Sequence, residues 1–541
     1  MKSGSVISGG VCYGPILTPG LIGVLVLNWL LVGCASLPES VERIPSQARV
    51  TEQSPFLTAI EEELAQHPGQ SGFRLLGDGL DAFAARMFLA EIATDTLDVQ
   101  YYLFHGDDSG RALTRQLLRA ADRGVRVRLL VDDMATAGRD AGIVAVDSHP
   151  NVEVRLFNPF ANRTSRVLEM GVRFGRVTRR MHNKSFTADG IVTIVGGRNV
   201  GNEYFSADPD IEFGDLDVMG IGPISAEVSE EFDLYWNSEL AYPASSLTRH
   251  RYSEDDLTAL RAELDAEVDA YKASPYGQRV RESTLATELL EHRLVFHWGQ
   301  ALVLSDLPEK LQTPPSDTST HMTGDLMRLF NSTQSELIII SPYFVPGWEG
   351  VAYLTGLVDQ GIRVRILTNS LASNDVWVVH SGYAKYRLPL LRGGVELYET
   401  KAAPREQQDS DDNAGFGGSS GRASLHAKTF VLDRDRMFIG SLNLDPRSWS
   451  LNTEMGIVLE NETLATGTIE WFDSAVDRTA YRLELVPACS YRADCWGDEQ
   501  RLRWRDQTEE GVRYWDHEPN SSEWTRTLAD FVAMFPIEGQ L

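Results

Sequence analysis

Apolar and polar positions follow two different periods along the first half of the folded region. Apolar residues at helical spacing predict a helix over 79–93, and strict alternation predicts a buried strand over 97–104. A second amphipathic helix over 109–122, ended by Arg-Gly, and a strand over 125–131 come next. A strand, helix, strand order with short connections predicts a mixed or parallel sheet covered by helices.

The second half of the chain repeats this order. Apolar runs predict a strand over 336–345, a helix over 351–360 and a further strand over 361–367. The last of these, G-I-R-V-R-I-L, resembles G-V-R-V-R-L-L at 124–130. The repetition predicts an internal duplication, with one α/β sandwich in each half and the two facing each other about a pseudo-two-fold axis.

The remaining segments have simpler patterns. A helix capped by Ser253, with an apolar face over 257–268, is typical of a surface helix packed on the folded body. A stretch rich in Gln, Asp, Gly and Ser over 404–423 predicts a loop. The predicted division of the chain is a leader (1–33), a tether with a short helix (34–70), an N-terminal lobe (71–250), a connecting helical segment (251–293), a C-terminal lobe (294–485) and a Trp-rich extension (486–541).

Composition adds two limits to this picture. The chain has 541 residues, of which 43% are hydrophobic and 23% charged, which is enough for two large domains with buried cores. The net charge of −27 argues against a nucleic-acid binder, whose affinity would depend on Lys and Arg at phosphates. An anionic substrate must therefore meet local positive charge inside a site.

The N-terminus carries an apolar run over 21–32 that ends in L-V-G-C at Cys34. The run is short for a bilayer span and is typical of a signal peptide, and L-V-G-C resembles a bacterial lipobox, which implies a lipidated Cys34. An uncleaved N-terminal anchor is the alternative. Both place the folded body in the bacterial cell envelope, tethered to lipid on the periplasmic side, and Ala35 leaves the outer membrane open.

Two cysteines lie in the C-terminal extension. In an oxidising compartment Cys489 and Cys495 can close a small disulfide loop. A zinc site is disfavoured, because two cysteines without a neighbouring pair of histidines do not supply four ligands.

The strongest chemical signal is a motif present twice. R-M-H-N-K-S-F-T-A-D-G-I-V-T-I-V-G-G-R-N recurs as S-L-H-A-K-T-F-V-L-D-R-D-R-M-F-I-G-S-L-N. His, Lys, Asp, Gly and Asn keep one spacing in both copies, at His182, Lys184, Asp189, Gly196 and Asn199 and at His426, Lys428, Asp433, Gly440 and Asn443. A purely structural origin for five matched positions is improbable.

Alternation along a strand puts His182 and Lys184 on one face, and His426 and Lys428 likewise. If the two halves face each other, two imidazoles and two ammonium groups converge, which suits the oxygens of a phosphate ester. One histidine can then act as nucleophile while the other protonates the leaving alkoxide. This chemistry calls for no metal and no cofactor.

The duplicated pattern H-x-K-x4-D-x6-G-G/S-x-N resembles the phospholipase D superfamily over 79–460. The resemblance implies two duplicated α/β/α sandwich lobes and a phosphohistidine intermediate, with His182 as nucleophile and His426 as acid and base, or the reverse. It also implies that Lys184, Lys428, Asn199 and Asn443 bind the phosphoryl oxygens. Asp189 and Asp433 complete the catalytic motif, and we expect them to be its structural partners.

The family also places an acidic residue after each motif to orient a histidine. Glu454 matches in the second half, whereas Asp215 and Asp217 both remain candidates in the first. Further motifs, S-P-Y-F-V-P, T-N-S-L-A-S-N-D-V, H-S-G-Y-A-K-Y-R, L-R-G-G-V-E-L-Y-E and the terminal F-P-I-E-G-Q-L, are similar to one branch, the bacterial cardiolipin synthases of the C type. They imply that His380, Tyr383 and Lys385 lie near the substrate.

The expected activity is phosphatidyl transfer to phosphatidylglycerol, which forms cardiolipin, with phosphatidylethanolamine as a further candidate substrate. Hydrolysis to phosphatidic acid, as in phospholipase D, is the alternative, because water can attack the same intermediate. A nuclease and a non-catalytic lipid-binding lipoprotein are more distant alternatives. Both motifs are in one chain, so catalysis does not require an oligomer.

Overall fold

The computed structural model describes residues 36–51, 54–163, 166, 169–170, 174–208, 212–248, 253–291, 293–402, 423–487, 500–534 and 539. Several predictions lie outside these residues. They are the signal peptide, the lipobox with Cys34, nearly all of the loop over 404–423, and Cys489 with Cys495.

The N-terminal lobe alternates strands and helices. Its strands are β1 (Ser71–Leu76), β2 (Thr96–Tyr101), β3 (Arg126–Asp132), β4 (Val152–Phe157), β5 (Ser185–Ala188), β6 (Val192–Gly196), β7 (Glu212–Gly214), β8 (Asp217–Ile221) and β9 (Ala241–Pro243). Its helices are α1 (Pro55–Gln66), α2 (Gly79–Ile92), α3 (Asp108–Asp122), α4 (Asp140–Asp147), α5 (Phe174–Val177) and α6 (Pro223–Trp236). The connecting segment forms α7 (Glu254–Ala273), α8 (Pro275–Arg281) and α9 (Thr284–Leu290).

The C-terminal lobe begins at a long strand. Its strands are β10 (His297–Ser305), β11 (Glu336–Ile340), β12 (Arg363–Asn369), β13 (Glu396–Thr400), β14 (Ala423–Leu425), β15 (Thr429–Leu432), β16 (Arg436–Gly440), β17 (Met455–Glu460), β18 (Ala480–Pro487), β19 (Gln500–Thr508) and β20 (Gly511–Trp515). Its helices are α10 (Thr323–Asn331), α11 (Gly347–Asp359), α12 (Trp377–Ala384), α13 (Arg387–Arg392), α14 (Pro446–Ser450), α15 (Glu462–Thr479) and α16 (Glu523–Ala533).

The two lobes have the same sheet topology. The strand order is β1-β8-β6-β5-β2-β3-β4-β9 in the first and β10-β17-β16-β15-β11-β12-β13-β18 in the second. In each lobe the three strands joined through helices are parallel and the other pairs are antiparallel. The prediction of two duplicated α/β lobes is confirmed.

A strand shared by both lobes joins the two sheets. The start of β10, 297–299, pairs antiparallel with β1, and the remainder, 300–305, pairs with β17 of its own lobe. An apolar cluster also crosses between the lobes and includes Val195, Val218 and Ile224 on one side and Ile439, Ile457 and Ile469 on the other. Burial of this shared surface holds the two motifs in a fixed relation.

Two strands end earlier in the structure than the sequence predicts. The strands expected over 97–104 and 336–345 end at Tyr101 and Ile340. The apolar residues beyond them leave the sheet and pair with the loop after each motif asparagine, through bridges from Phe104 to Val200 and from Phe344 to Leu444. Hydrophobic alternation continues there because the segment stays buried, although its partner is a loop.

The segments outside the lobes pack on them. Arg128 and Arg155 donate hydrogen bonds to backbone oxygens of Ser46 and Ile44, so part of the predicted tether lies along the N-terminal lobe. The α7 helix has the predicted cap at Ser253, which forms a capping box with Asp256, and ion pairs tie α7 to α3. In the part of the chain that is described, no helix is both long and apolar enough to cross a membrane.

Candidate active site

Both motif histidines lie where the two lobes meet. The backbone N–H of His182, just before β5, donates to the carbonyl of Thr453 in the other lobe. The N–H of His426, just before β15, donates to the carbonyl of Gly214, beside the parallel pairing of β7 with β14. Each histidine is therefore fixed by backbone of the opposite half, in a pseudo-symmetric arrangement.

The histidine side chains also contact residues of the opposite lobe. His182 Nδ1 lies 2.7 Å from Glu454 Oε2, and His426 Nδ1 lies 2.6 Å from Asp215 Oδ2. All four side chains are buried. The structure thus places Asp215 against a histidine, whereas Asp217 forms an ion pair with Arg86. With Nδ1 held by a carboxylate, the nitrogen that each imidazole presents away from that carboxylate is Nε2, and in His426 it lies 3.1 Å from Lys428 Nζ.

The two carboxylates are supported differently. Glu454 Oε2 also accepts a hydrogen bond of 2.5 Å from Ser441 Oγ. The equivalent residue in the first motif is Gly197, where an added Cβ would lie 2.1 Å from Asp215 Oδ1. Ser441 therefore accompanies the longer carboxylate, Glu454, and donates to it. Gly197 accompanies the shorter carboxylate, Asp215, and leaves room for it.

The two lysines supply positive charge next to the histidines. Lys184 Nζ donates to the carbonyl of His182 at 2.6 Å, and Lys428 Nζ donates to the carbonyl of His426 at 2.5 Å. Burial lowers the pKa of Lys184 to about 7 and that of Lys428 to about 8, although nearby carboxylates oppose the shift. An anionic group bound here would favour both charged forms.

Burial and the charges of Lys184 and Lys428 hold the pKa of His182 well below its usual range, so its imidazole is neutral near pH 7. The pKa of His426 is also lowered by burial and by Lys428, but Asp215 opposes that shift. The two histidines therefore differ, although their motifs are alike.

The pKa values of the two carboxylates that hold the histidines also differ. Burial raises the pKa of Glu454 to about 7. Burial also acts to raise the pKa of Asp215, but His426 and Lys428 outweigh it and hold that pKa well below the usual range. Asp215 is thus a full anion beside His426, which favours an imidazolium there more than Glu454 does at His182.

The motif asparagines have different surroundings. Asn199 Oδ1 accepts from Leu103 N–H and its Nδ2 donates to the hydroxyl of Tyr204 at 2.9 Å. Asn443 Oδ1 has no hydrogen-bond partner among the described residues, although it is buried. Their role in binding phosphoryl oxygens stays a prediction.

The motif aspartates lie at the far ends of their strands. Both have positive φ, 53° for Asp189 and 50° for Asp433. The Asp189 carboxylate accepts backbone N–H groups over 94–96, and the Asp433 carboxylate accepts those over 334–336. They secure the entry of β2 and β11 into the sheets, which fits structural partners of the motif.

Aromatic side chains that the sequence analysis did not select surround the imidazoles. Tyr102 packs edge-on against His182 with ring centroids 5.0 Å apart. Tyr204 packs edge-on and Phe213 stacks against His426, each at 5.2 Å. Nothing in the local pattern marks them, because Tyr102 continues an apolar strand run, Tyr204 lies in a single helical turn after the motif and Phe213 lies in the short strand β7.

The residues expected near the substrate lie in α12 and directly after it, beside the C-terminal extension. His380 Nε2 is 3.0 Å from Glu518 of the C-terminal extension, and Tyr383 packs edge-on against Phe344 at 5.8 Å. Lys385 Nζ lies 5.1 Å from the ring centroid of Tyr386. Phe344 connects this group to the loop after Asn443, and direct substrate contact stays a prediction.

The family comparison covers both lobes. A family model described as a cardiolipin synthase, phospholipase D-like domain matches residues 89–236 and 326–476. The chain is 45% identical over 476 residues to cardiolipin synthase C of Escherichia coli (strain K12), which covers 88% of this chain and 97% of the relative. It is also 32% identical over 441 residues to an uncharacterized protein of Helicobacter pylori, covering 80% of this chain and 85% of that protein.

A solved structure shares the fold at low sequence identity. The phosphatidylserine synthase of Haemophilus influenzae Rd KW20 is similar with a TM-score of 0.50 and 14% identity. The match covers 78% of this chain and 92% of that protein. The likeness concerns the two-lobed architecture.

Proposed function

Since the chain belongs to the phospholipase D-like cardiolipin synthase family, we propose that its phosphatidyl transfer runs through a phosphohistidine at His182 and ends on phosphatidylglycerol, giving cardiolipin. The observation that carries the proposal is the pair of cross-lobe contacts, His182 to Glu454 and His426 to Asp215, which leaves Nε2 of each histidine free of its carboxylate.

In the first step His182 Nε2 attacks the phosphorus of a donor phospholipid. The P–N bond forms as the P–O bond to the head group breaks, and the imidazolium form of His426, which the anionic Asp215 and the phosphate of the bound substrate favour, gives its Nε2 proton to the leaving alkoxide. Lys184 and Lys428 stabilise the charge on the phosphoryl oxygens. The neutral state of His182, caused by burial and the two lysines, suits the nucleophile.

In the second step the acceptor hydroxyl gives its proton to His426 and attacks the same phosphorus. The P–N bond then breaks and His182 leaves as the neutral imidazole. The anionic Asp215 stabilises the imidazolium that forms on His426 in this step. This difference between the two carboxylates supports His182 as nucleophile and His426 as acid and base.

The acceptor decides between transfer and hydrolysis. Water attacking the intermediate would give phosphatidic acid, whereas a hydroxyl of phosphatidylglycerol gives cardiolipin. The buried histidines and the aromatic rings of Tyr102, Tyr204 and Phe213 limit access for water and support transfer.

The test is to incubate the purified protein with phosphatidylglycerol, with and without phosphatidylethanolamine, and to separate the lipid products. We expect cardiolipin, and a higher yield with the second lipid would identify phosphatidylethanolamine as a donor. Phosphatidic acid as the sole product would replace the synthase proposal with hydrolytic phospholipase D activity. No turnover of any phospholipid would refute both.

We also propose that a lipidated Cys34 anchors the protein on the periplasmic side of the bacterial envelope. The L-V-G-C sequence after an apolar run supports this proposal. Metabolic labelling with a fatty acid should mark the wild-type protein and not the Cys34→Ala variant. Equal labelling of both would assign the lipid to another residue.

A further inference from the structure

A cavity of about 500 Å³ lies in the C-terminal lobe between α10, α11 and α14. Its walls are mainly apolar and aromatic, and include Met327, Phe330, Phe344, Tyr353, Leu354 and Trp449. The cavity is partly open to solvent, and ligand sites are clefts or cavities with volumes of roughly 300 to 1,000 Å³. The size and the lining therefore indicate a binding site.

The cavity begins next to the active site. Leu444 and Asp445, which directly follow the motif residue Asn443, form part of its wall. Phe344 lines it as well and bridges to Leu444, and the charge of Asp445 acts on the active-site Lys428. A molecule with its phosphate at the histidines could thus extend directly into this space.

The charges of the lining exclude a phosphate or a second anionic head group as the occupant. Glu349 and Asp445 are acidic, and none of the described lining residues is basic. An anion would find no cation in the described lining to offset its charge, while a hydrocarbon chain needs no polar partner and gains from leaving water.

An exposed tryptophan is the chain neighbour of two residues that line the cavity. Trp348 lies between Gly347 and Glu349, both of which line the cavity, and 63% of its surface is exposed. Its ring packs edge-on against Tyr386 at 5.1 Å. Tryptophan is favoured at the boundary between water and lipid, so its position suits an entrance for a chain that comes from a membrane.

We propose that this cavity binds an acyl chain of the phospholipid whose phosphate is at His182 and His426. The inference rests on the proposed function, because it takes a phospholipid as the substrate. The N-terminal lobe has a smaller cavity of about 360 Å³, but His105, Arg111 and Arg139 line it, so it lacks this purely apolar and acidic character.

The first test fills the cavity. Met327→Trp adds bulk at a half-buried lining residue, and we expect it to reduce the transfer rate with eighteen-carbon chains by roughly tenfold, the effect of losing burial of about two methylene groups. Phospholipids with six-carbon chains should react at a nearly unchanged rate. Arg328→Trp, at an exposed neighbour on the same helix, is the matched control and should change neither rate.

Equal losses for both chain lengths, or no loss for either, would overturn the proposal. This experiment distinguishes failure of the acyl-chain proposal from failure of the proposed function. The chain-length preference can be measured whether the product is phosphatidic acid or cardiolipin. If the wild-type protein turns over no phospholipid, the proposed function fails, and binding still tests the cavity.

The second test needs neither turnover nor a folded Met327 variant. Phosphatidylglycerol with brominated acyl chains should quench Trp449 fluorescence in the wild-type protein, because bromine quenches only tryptophans that it contacts. The quenched signal should shrink in Trp449→Phe and not in Trp471→Phe, whose tryptophan is exposed and outside the cavity. Quenching that is equal in both variants would show that the chain does not enter.

Discussion

At the scale of single residues, the site depends on carboxylates that each come from the opposite lobe. Glu454 holds His182 and Asp215 holds His426, at 2.7 and 2.6 Å between the bonded atoms. A carboxylate that fixes Nδ1 determines both the tautomer and the direction of the imidazole. Catalysis should therefore be sensitive to these residues although they do not contact the phosphorus.

Replacement of Glu454 by Gln should reduce the rate of phosphatidyl transfer by about 10- to 100-fold. The amide keeps the size of the side chain but loses the charge, so His182 Nδ1 and Ser441 Oγ, which both approach Oε2, would face a neutral and weaker acceptor. The measurement is kcat for cardiolipin formation. Glu460→Gln, at the exposed end of β17, the strand that directly follows Glu454, is the control and should match the wild type.

A Glu454→Gln rate within twofold of the wild-type rate would contradict a positioning role for Glu454. The pH dependence of kcat gives a second readout, because loss of the carboxylate should shift the apparent pKa of the reacting imidazole. A purely structural role would leave that profile unchanged.

Asp445 allows a test of burial through pH. Its carboxylate caps α14 by accepting Ser448 N–H at 2.7 Å, and burial raises its pKa from 3.8 to about 7. Between these values the folded protein retains a proton that the unfolded chain has lost, so this group's contribution to stability falls as the pH rises from about 4 to 7.

Asp445→Asn should remove that dependence, because asparagine also caps helices and carries no charge. We expect the variant to gain thermal stability relative to the wild type between pH 5 and pH 8, by at most about 3 kcal/mol. Unfolding midpoints of both proteins at the two pH values measure this. Asp325→Asn, at a half-exposed carboxylate, should show no such gain, and an equal gain there would refute the assignment to Asp445.

The sequence predicted that His182, Lys184, His426 and Lys428 come together, because the duplicated spacing marks them directly, and the structure brings them together where the lobes meet. It could not predict which carboxylate meets which histidine, since Glu454 is far closer along the chain to His426 than to His182. That pairing depends on how the lobes meet, and so does the choice between Asp215 and Asp217.

At the scale of secondary-structure elements, the motif aspartates act at the ends of strands. Asp433 accepts three backbone N–H groups before β11, from Gln334, Ser335 and Glu336, at 2.9, 2.7 and 3.2 Å. It does this from a left-handed backbone conformation, which aspartate tolerates better than most residues. Its contribution is therefore to the stability of the C-terminal sheet.

Asp433→Ala should lower the free energy of unfolding by about 1–2 kcal/mol, because the backbone N–H groups of two exposed residues and one buried residue lose their acceptor. The specific activity of the folded protein should stay within about threefold of wild type. Chemical denaturation and transfer assays on the same preparation measure both quantities. Asp433→Asn, which keeps an acceptor oxygen, should be less destabilised.

Complete loss of turnover in a folded Asp433→Ala protein would instead assign Asp433 a direct part in catalysis. The sequence pattern alone could not separate these roles, because the motif places the aspartate at a fixed distance from the histidine and lysine in either case. The four residues of β15 between Lys428 and Asp433 carry the carboxylate to the opposite end of the strand.

Hydrophobic periodicity located most elements but not where strands end. The helix predicted over 109–122 is observed as Asp108–Asp122, whereas the strand predicted over 336–345 ends at Ile340. The difference arises because 341–345 stay buried against the loop after Asn443. Burial, and not sheet pairing, produces the apolar pattern there.

At the scale of the whole molecule, the duplication could be predicted from the sequence, but the strand pairing that connects the two lobes could not. The repeated strand and helix order predicted two similar lobes, which share one strand order. The continuous pairing of β1 with β10 across the two sheets has no signal in the sequence, because alternating apolar residues do not specify their partner strand.

Because both halves of the site are in one chain, the His182→Ala and His426→Ala variants should each be inactive and should stay inactive when mixed. Each chain would still lack one histidine in its own site. The assay is cardiolipin formation by the mixture at several protein concentrations. Recovery of activity on mixing would show that a site is built between two chains.

The central claim is that His182 carries the phosphatidyl group between donor and acceptor. The most direct measurement is to react the protein with phospholipid labelled at phosphorus, quench in base, where phosphohistidine survives, and locate the label by peptide mass spectrometry. We expect label on the peptide that contains His182. In the His426→Ala variant, labelled His182 should accumulate only if the first step proceeds without the acid. Label on His426 in the wild-type protein, or turnover with label on neither histidine, would contradict the claim.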